Sequence, residues 1–165
     1  ERQKIKSVGN GITFRRNLTG ADDVRTALTA LADTVSSRLR KYQLKAGGIK
    51  VDIKDPNLKV ISRQKQLDTR TNTAEEISTA AFDVLSRSWD MKNPIRLLTV
   101  TAINLFDEDE QISLFGGDEN ARAAGEKLAY TMDSIREKFG DKAILFGGVI
   151  NNDIGIDMTE TKNDE

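Results

Sequence analysis

A strand hairpin between two helical patterns constrains the fold more than any other feature. In "IKVDIK" the apolar residues Ile49, Val51 and Ile53 alternate with charged ones, which predicts a strand with one buried face. Residues 55–57, "DPN", supply turn chemistry, and "LKVISRQKQL" returns as a second strand. Strands joined by so short a turn pair antiparallel, so the sheet contains an antiparallel hairpin over a single core.

A long helix is predicted before the hairpin. Thr19 followed by Asp22 resembles a capping box, and acidic residues suit a first helical turn. We expect the helix to end near Leu44, with Gly47 and Gly48 stopping it. Its apolar stripe recurs at helical spacing: Val24, Leu28, Leu31, Val35, Leu39 and Tyr42.

A second helix is predicted after the hairpin. Residues 69–73, "TRTNT", are expected to form a loop whose Thr73 caps the helix with Glu76. Trp89 is expected to close its end. The buried stripe consists of Ile77, Ala81, Val84 and Leu85.

Two further strands flank these elements. Residues 4–16 place Ile12 and Phe14 on one side of an alternating pattern, with a bend at Gly9 and Gly11. The segment "IRLLTVTAINLF" after Pro94 is apolar on both faces, which suits a central strand.

The predicted fold is therefore α+β with the order βαββαβ. A four-stranded, mostly antiparallel sheet carries two helices on one face and leaves the other face open, and a C-terminal helical tail follows. We expect the basic residues of the hairpin to lie on the open face: Lys50, Lys54, Lys59, Arg63 and Lys65.

The C-terminal part begins with a charge boundary. Residues 1–106 contain 19 Lys and Arg against 11 Asp and Glu, whereas residues 107–165 contain 6 against 15. Charge polarised in this way indicates an interaction surface, and the basic excess of residues 1–106 suits a polyanion partner. The alternative is a chance asymmetry on a solvated surface. The boundary falls at "DEDEQISLFGG", residues 107–117.

Four units follow from these patterns: a sheet domain at 1–106, a linker at 107–117, a helical extension at 118–150 and a disordered tail at 151–165. The extension contains a third helix, which Gly140 ends, and "DKAILFGGVI" as a short strand or apolar docking segment. The helix places its apolar residues at helical spacing: Leu128, Met132, Ile135 and Phe139.

Several function classes are excluded by composition. The chain has no cysteine and no histidine, so disulfides, thiolate or histidine metal sites and histidine-dependent catalysis are excluded. No apolar run is long enough to span a bilayer, and we expect a cytoplasmic protein with no membrane partner. The acidic pairs Asp22–Asp23 and Glu75–Glu76 are explained by helix starts. We assign no catalytic residue and no cofactor.

The basic residues of the open sheet favour nucleic-acid binding. Proteins that read RNA bases stack them on sheet aromatics, whereas proteins that hold the backbone use Lys, Arg, Ser, Thr and main-chain amides. The candidate strands offer Arg15, Arg16, Arg63 and Lys65 but only Phe14 as an aromatic, which favours the second mode. A solvated surface is the alternative for each arginine taken alone.

The segments "KSVGNGITFRRNL", "VISRQKQL" and "IRLLTVTAINL" before "QISLF" resemble, in order and spacing, the little-finger domain of Y-family translesion DNA polymerases, the DNA polymerase IV and UmuC-like group. The resemblance covers about residues 4–117. It implies a domain that holds primer–template DNA by its phosphates without sequence preference. The family positions fall on Ser7, Gly9, Thr13, Arg15 and Arg16 of the first strand and on Ser62, Arg63 and Lys65 of the second hairpin strand.

The pentapeptide QISLF is similar to the motif by which bacterial polymerases bind the sliding clamp, the beta subunit of DNA polymerase III. The resemblance implies that Gln111 donates a directional hydrogen bond while Leu114 and Phe115 fill an apolar pocket. An alternative is that the apolar residues fold back on their own core. Polymerisation itself, with two magnesium ions, would belong to palm-domain carboxylates of a longer parent nucleotidyltransferase.

Two other function classes stay open from the residues. "VGNGITFRR" also resembles the phosphate-cradling loop of acylphosphatases, which would make the chain a small enzyme. A protein-interaction adaptor built around residues 111–115 is the third class.

Overall fold

The computed structural model describes residues 4–108, 119–150 and 152–156. Within these ranges the chain forms four strands and three α-helices. In chain order they are β1 (Val8–Leu18), α1 (Gly20–Lys41), β2 (Leu44–Lys54), β3 (Val60–Thr71), α2 (Ala74–Ser88), β4 (Ile95–Asp107) and α3 (Glu119–Phe139).

The four strands form one antiparallel sheet in the order β1-β4-β2-β3. The predicted α+β class and βαββαβ order are confirmed. β4 is central, as its two apolar faces predict, and the hairpin partner β3 is an edge strand. The pairing of Val51 with Val100 and of Ile49 with Ala102 brings buried residues of the two central strands together beneath the helices.

The core lies between the sheet and the two helices α1 and α2. Both predicted apolar stripes are buried there, except that Tyr42 is 40% exposed. α1 ends at Lys41, and residue 44 already belongs to β2, so the predicted helix end near Leu44 is wrong. At the start of α1 the N-cap is Thr19, whose amide donates to Asp23 Oδ2 at 2.9 Å, so the acidic partner of the N-cap is Asp23 and not the predicted Asp22.

Gly47 and Gly48 lie inside β2 and do not stop α1, which corrects the sequence interpretation. A Cβ on Gly47 would stand 2.7 Å from the carbonyl oxygen of Asn104, and one on Gly48 would stand 3.0 Å from Ile103 Cγ1. Asn104 itself has a left-handed φ of 52°. Glycine is required here because the neighbouring strand approaches too closely for a side chain.

Thr73 is the N-cap of α2 as predicted, but the capping box with Glu76 does not form, because the Thr73 side chain bonds no backbone amide of the helix and the Thr73 amide donates to Thr71 Oγ1. The Thr73 hydroxyl donates to Glu76 Oε1 at 3.2 Å, and Trp89 caps the C-terminus with its amide on the Leu85 carbonyl. The predicted loop at 69–73 is shorter, because β3 continues to Thr71.

The C-terminal extension packs against the helical layer. The side chains of α3 that become buried include Ala129, Met132 and Arg136, whereas Leu128 is 61% and Phe139 is 76% exposed. The predicted helix is therefore present, but part of its predicted apolar stripe faces solvent. Salt bridges across the contact join Arg136 to Asp33, Arg40 to Asp133, Lys45 to Glu126 and Arg122 to Glu76.

Beyond Gly140 the chain docks without forming a strand. Two short 3-10 turns, Asp141–Ala143 and Gly147–Val149, lead to residues 152–156, which we call the tail segment. Ile154 of the tail segment is 1% exposed and belongs to the core, so this part of the predicted disordered tail is ordered. Gln111, Leu114 and Phe115 of the predicted clamp motif lie outside the described residues, as do residues 157–165.

Candidate nucleic-acid interface

The face of the sheet opposite α1 and α2 is built from rows of residues that pair across all four strands. Residues paired directly across antiparallel strands point to the same face, so each row can be read from the register. We call this surface the open face. Its three rows are Gly9–Thr101–Lys50–Gln64, Gly11–Thr99–Asp52–Ser62 and Thr13–Leu97–Lys54–Val60.

Glycines keep the β1 side of the open face flat. A Cβ on Gly11 would lie 2.5 Å from Thr99 Oγ1, and a Cβ on Gly9 would lie 2.9 Å from Thr101 Oγ1. Either contact is shorter than real Cβ atoms make, so the threonine side chain would have to move. The two hydroxyls therefore stand beside exposed backbone, where a ligand can approach the main chain closely.

The charge of the open face comes from three β2 residues. Lys50 and Lys54 flank Asp52 on the same strand, and the structure leaves all three half-exposed. Among the described residues, neither lysine makes a salt bridge, and Asp52 accepts no hydrogen bond from a side chain. None of the open-face residues is aromatic. The surface offers cations, hydroxyls and amides but no ring on which a base could stack.

The predicted placement of Arg63 and Lys65 on the open face is wrong. Arg63 pairs with Val51 and Lys65 with Ile49, and both partners are fully buried beneath the helices. Lys65 Nζ lies 2.9 Å from Asp83 Oδ2 of α2, and this hydrogen bond holds the pKa of the Asp83 carboxyl below its usual range. Ser62, which the family resemblance gave as a DNA contact, lies on the open face.

Lys59 also departs from its predicted position. It lies in the turn before β3, where its amide donates to Asp55 Oδ1 at 2.9 Å. It therefore occupies no strand position on the open face.

The two arginines of β1 differ in their surroundings. Arg15 is exposed, whereas Arg16 donates to two carboxylates, with Nη1 2.7 Å from Asp23 Oδ2 and Nη2 2.7 Å from Asp153 Oδ1. The hydrogen bond to Asp23, followed by that to Asp153, raises the pKa of Arg16, and both carboxyl pKa values are lowered in return. Arg16 thus lies at the sheet edge with its charge already compensated.

Sequence reasoning missed part of the open face. Ser7 lies exposed just before β1, and Gly9 and Thr13 are open-face residues as expected. Thr99 and Thr101 of β4 were not among the predicted contacts. The alternation of these threonines with the buried Leu98, Val100 and Ala102 was the signal that could have identified them.

The described part of the chain contains no cluster of three or more acidic side chains placed to hold a metal ion. None of the described helices has the length and apolarity needed to cross a membrane.

Comparison with known proteins agrees with the architecture. Residues 5–114 match the impB/mucB/samB family C-terminal domain. DNA polymerase IV of Acetivibrio thermocellus is 36% identical over 154 residues, which span 92% of this chain and 38% of that protein. DNA polymerase IV 2 of Halalkalibacterium halodurans is 36% identical over 145 residues, which span 86% of this chain and 34% of that protein.

The fold is also found among solved polymerase structures. An insertion ternary complex of Dbh DNA polymerase superposes with a TM-score of 0.53 and 16% identity over 61% of this chain and 29% of that one. A Y-family chimera, Dbh-Dpo4(243-245)-Dbh, superposes with a TM-score of 0.51 and 20% identity over 65% of this chain and 30% of that one.

A four-stranded antiparallel sheet with helices on one face and an open polar face on the other defines an α+β module of βαββαβ order with the strand order β1-β4-β2-β3. The family match makes the assignment specific. The chain belongs to the impB/mucB/samB C-terminal domain family, the little-finger domain of Y-family DNA polymerases of the polymerase IV group. It spans little more than one third of the length of these curated relatives.

Proposed function

We propose that the open face holds primer–template DNA by its phosphate backbone, as the DNA-binding domain of a translesion DNA polymerase. The proposal rests on the three open-face rows, which place Lys50 and Lys54 beside the hydroxyls and glycines of the neighbouring strands. Lysine side chains neutralise phosphates, while hydroxyls and exposed amides donate to phosphate oxygens. A face without aromatic side chains supports holding the backbone over reading bases.

The proposed contact set revises the expectation from sequence. It keeps Lys50 and Lys54, which were expected on the open face, and the family positions Ser7, Gly9, Thr13, Arg15 and Ser62, and it adds Gly11, Gln64, Thr99 and Thr101. Arg63 and Lys65 lie on the opposite side of the hairpin, and Arg16 is compensated by carboxylates.

Fluorescence anisotropy with labelled primer–template duplexes of permuted sequence tests the proposal. We expect affinities within about threefold of one another and a steep loss of affinity as salt rises, because phosphate contacts release counterions and carry no sequence information. Binding that keeps its strength between low and moderate salt, or that depends strongly on sequence, would contradict it.

The parent protein, on this proposal, is an error-prone DNA-directed DNA polymerase that acts in the cytoplasm during DNA repair. The relatives named DNA polymerase IV support this, since the chain is 36% identical to 38% of the length of one and 34% of the length of the other. Magnesium would be held by carboxylates in the remainder of the polymerase. The reading frame that encodes this chain should also encode paired magnesium-binding carboxylates, and a frame without them would overturn the assignment.

We further propose that Gln111, Leu114 and Phe115 bind the bacterial sliding clamp. The support is the QISLF pattern itself, in which three apolar residues and a glutamine stand between acidic residues and glycines. The double variant Leu114→Ala/Phe115→Ala should lose binding to immobilised clamp, whereas Ile112→Ala in the same segment should keep most of it. Equal binding by both variants would refute this role.

A further inference from the structure

The tail segment lies against the edge of β1 in a turn that is stabilised by hydrogen bonds of the Asn152 side chain. The Asn152 side chain donates to the carbonyl oxygens of Val149 and Ile156, and its Oδ1 accepts from the Ile156 amide at 3.1 Å. The turn brings Ile154 into the core, where it is 1% exposed. The position of the tail segment is therefore set by packing and hydrogen bonds together.

The tail segment contacts the main chain of β1 at Arg15. The Arg15 amide donates to the Ile154 carbonyl oxygen at 3.0 Å. Gly155 follows with a φ of +83°, and a Cβ there would lie 2.7 Å from Arg15 Cβ. An amide at the edge of an open sheet is a donor that a phosphate oxygen can use, and here the chain's own carbonyl uses it.

The same segment also occupies the outer side of Arg16. The guanidinium has two edges that can bind a carboxylate or a phosphate with paired hydrogen bonds. The edge formed by Nη1 and Nη2 faces Asp23, at 2.7 and 3.1 Å. The edge formed by Nε and Nη2 faces Asp153, at 3.1 and 2.7 Å. Both edges are therefore filled, and the cluster of Arg16 with two carboxylates carries a net negative charge.

The two Arg16 contacts differ in permanence. Asp23 lies in the first turn of α1 and also accepts from the Thr19 amide, so it is part of the domain's own helix start. Asp153 belongs to the extension beyond the matched family domain, and its side chain is 78% exposed. Exposed ion pairs contribute little stability, so the Asp153 contact can be exchanged for another anion at low cost.

We propose that the tail segment is an autoinhibitory contact, in which Asp153 and the Ile154 carbonyl take the Arg16 edge and the Arg15 amide that a DNA phosphate would otherwise occupy. The inference rests on the proposed function of the open face. DNA must displace the segment to reach this end of β1, so the extension lowers the affinity of the domain for DNA.

Three variants of the full chain test the proposal. Asp153→Asn removes the carboxylate charge while keeping the side-chain shape, and we expect DNA affinity to rise about threefold or more. The salt slope of binding should steepen by about 0.9, the contribution of one added phosphate contact. Asp141→Asn is the matched control, because it removes an equal charge from an exposed position of the extension that makes no ion pair with β1. Combined with Arg16→Gln, Asp153→Asn should have no further effect.

A second measurement follows Ile154, the buried residue of the tail segment, directly. The Ile154 methyl resonances should move towards solvent-exposed values as the wild-type chain is saturated with duplex DNA. If wild type binds DNA but Asp153→Asn and Asp141→Asn bind equally and the Ile154 methyl signals stay in place, the autoinhibitory contact is refuted while the open face stands. If no variant shows salt-dependent binding, the proposed function is overturned as well.

Discussion

Both terminal nitrogens of Arg136 in α3 donate hydrogen bonds to the carboxylate of Asp33 in α1, and the pair is buried between the two helices. Nη1 lies 2.8 Å from Oδ1 and Nη2 lies 2.8 Å from Oδ2. The side chains are 8% and 3% exposed, and Arg136 also donates to the Ile144 carbonyl oxygen. This paired contact, together with the Arg40–Asp133 salt bridge, attaches the C-terminal extension to the sheet domain.

Replacing one partner of this pair should be costly. Arg136→Met leaves the Asp33 carboxylate buried without its cation, and we expect a loss of about 3–5 kcal/mol in the free energy of unfolding. The double variant Asp33→Leu/Arg136→Met should recover much of the loss, because no buried charge is then left unpaired. Urea unfolding followed by circular dichroism measures both, and an unchanged midpoint for Arg136→Met would show that the extension is not held in this way.

Asp52 should weaken DNA binding from within the open face. Its carboxylate lies between Lys50 and Lys54 and opposes any phosphate that the two lysines attract. Asp52→Asn should raise DNA affinity severalfold at low salt, and the gain should shrink as salt screens the interaction. Asp22→Asn, which removes the same charge from α1 behind the sheet, serves as the control. Equal gains from both variants would mean that only net charge matters.

Gly11 should be intolerant of any side chain. Gly11→Ala places a Cβ 2.5 Å from Thr99 Oγ1, so we expect a loss of roughly 1–3 kcal/mol in stability from overpacking, and weaker DNA binding. Removing the hydroxyl in Gly11→Ala/Thr99→Ala should restore the stability. Thermal unfolding and anisotropy measure the two effects separately. A single Gly11→Ala variant as stable as wild type would disprove the close approach.

Tyr130 should titrate at unusually high pH. Burial, followed by its hydrogen bond to Glu108, raises the pKa of Tyr130 to about 12. The folded chain therefore keeps a proton that the unfolded chain releases near pH 10, so the stability contributed by neutral Tyr130 is present below about pH 10 and is lost between pH 10 and pH 12. Ultraviolet titration of a Tyr42→Phe variant isolates Tyr130, and a midpoint near 10 would contradict the environment described.

The fold could be predicted from sequence because its strands and helices have clear apolar periods. Lys50 and Lys54 were placed correctly, since the apolar neighbours Val51 and Ile53 determine which way β2 faces. Arg63 and Lys65 were misplaced because β3 is an edge strand that has polar residues at both odd and even positions, so its sequence does not show which side is buried. Which β3 side chains point towards the helices is determined by how β3 pairs with β2, and the sequence of β3 alone does not contain that register.

Other errors have the same origin in contacts between distant segments. Gly47 and Gly48 resemble a helix stop in sequence, yet they serve the close approach of β4. In α3 the buried position is taken by Arg136 rather than by Leu128 or Phe139, because Asp33 offers a buried partner from about a hundred residues earlier in the chain. The tail segment likewise docks through Asn152 and Ile154, which have no local periodic signal.

The most direct test of the open face is the salt slope of DNA binding for two charge-removing pairs. Lys50→Gln/Lys54→Gln removes two cations from the open face, whereas Arg63→Gln/Lys65→Gln removes two from the opposite side of the same hairpin. We predict that the first pair flattens the plot of log affinity against log salt by about 1.8, the value for two lost phosphate contacts, and that the second pair leaves the slope near that of wild type. A slope that changes only with Arg63 and Lys65 would contradict the account.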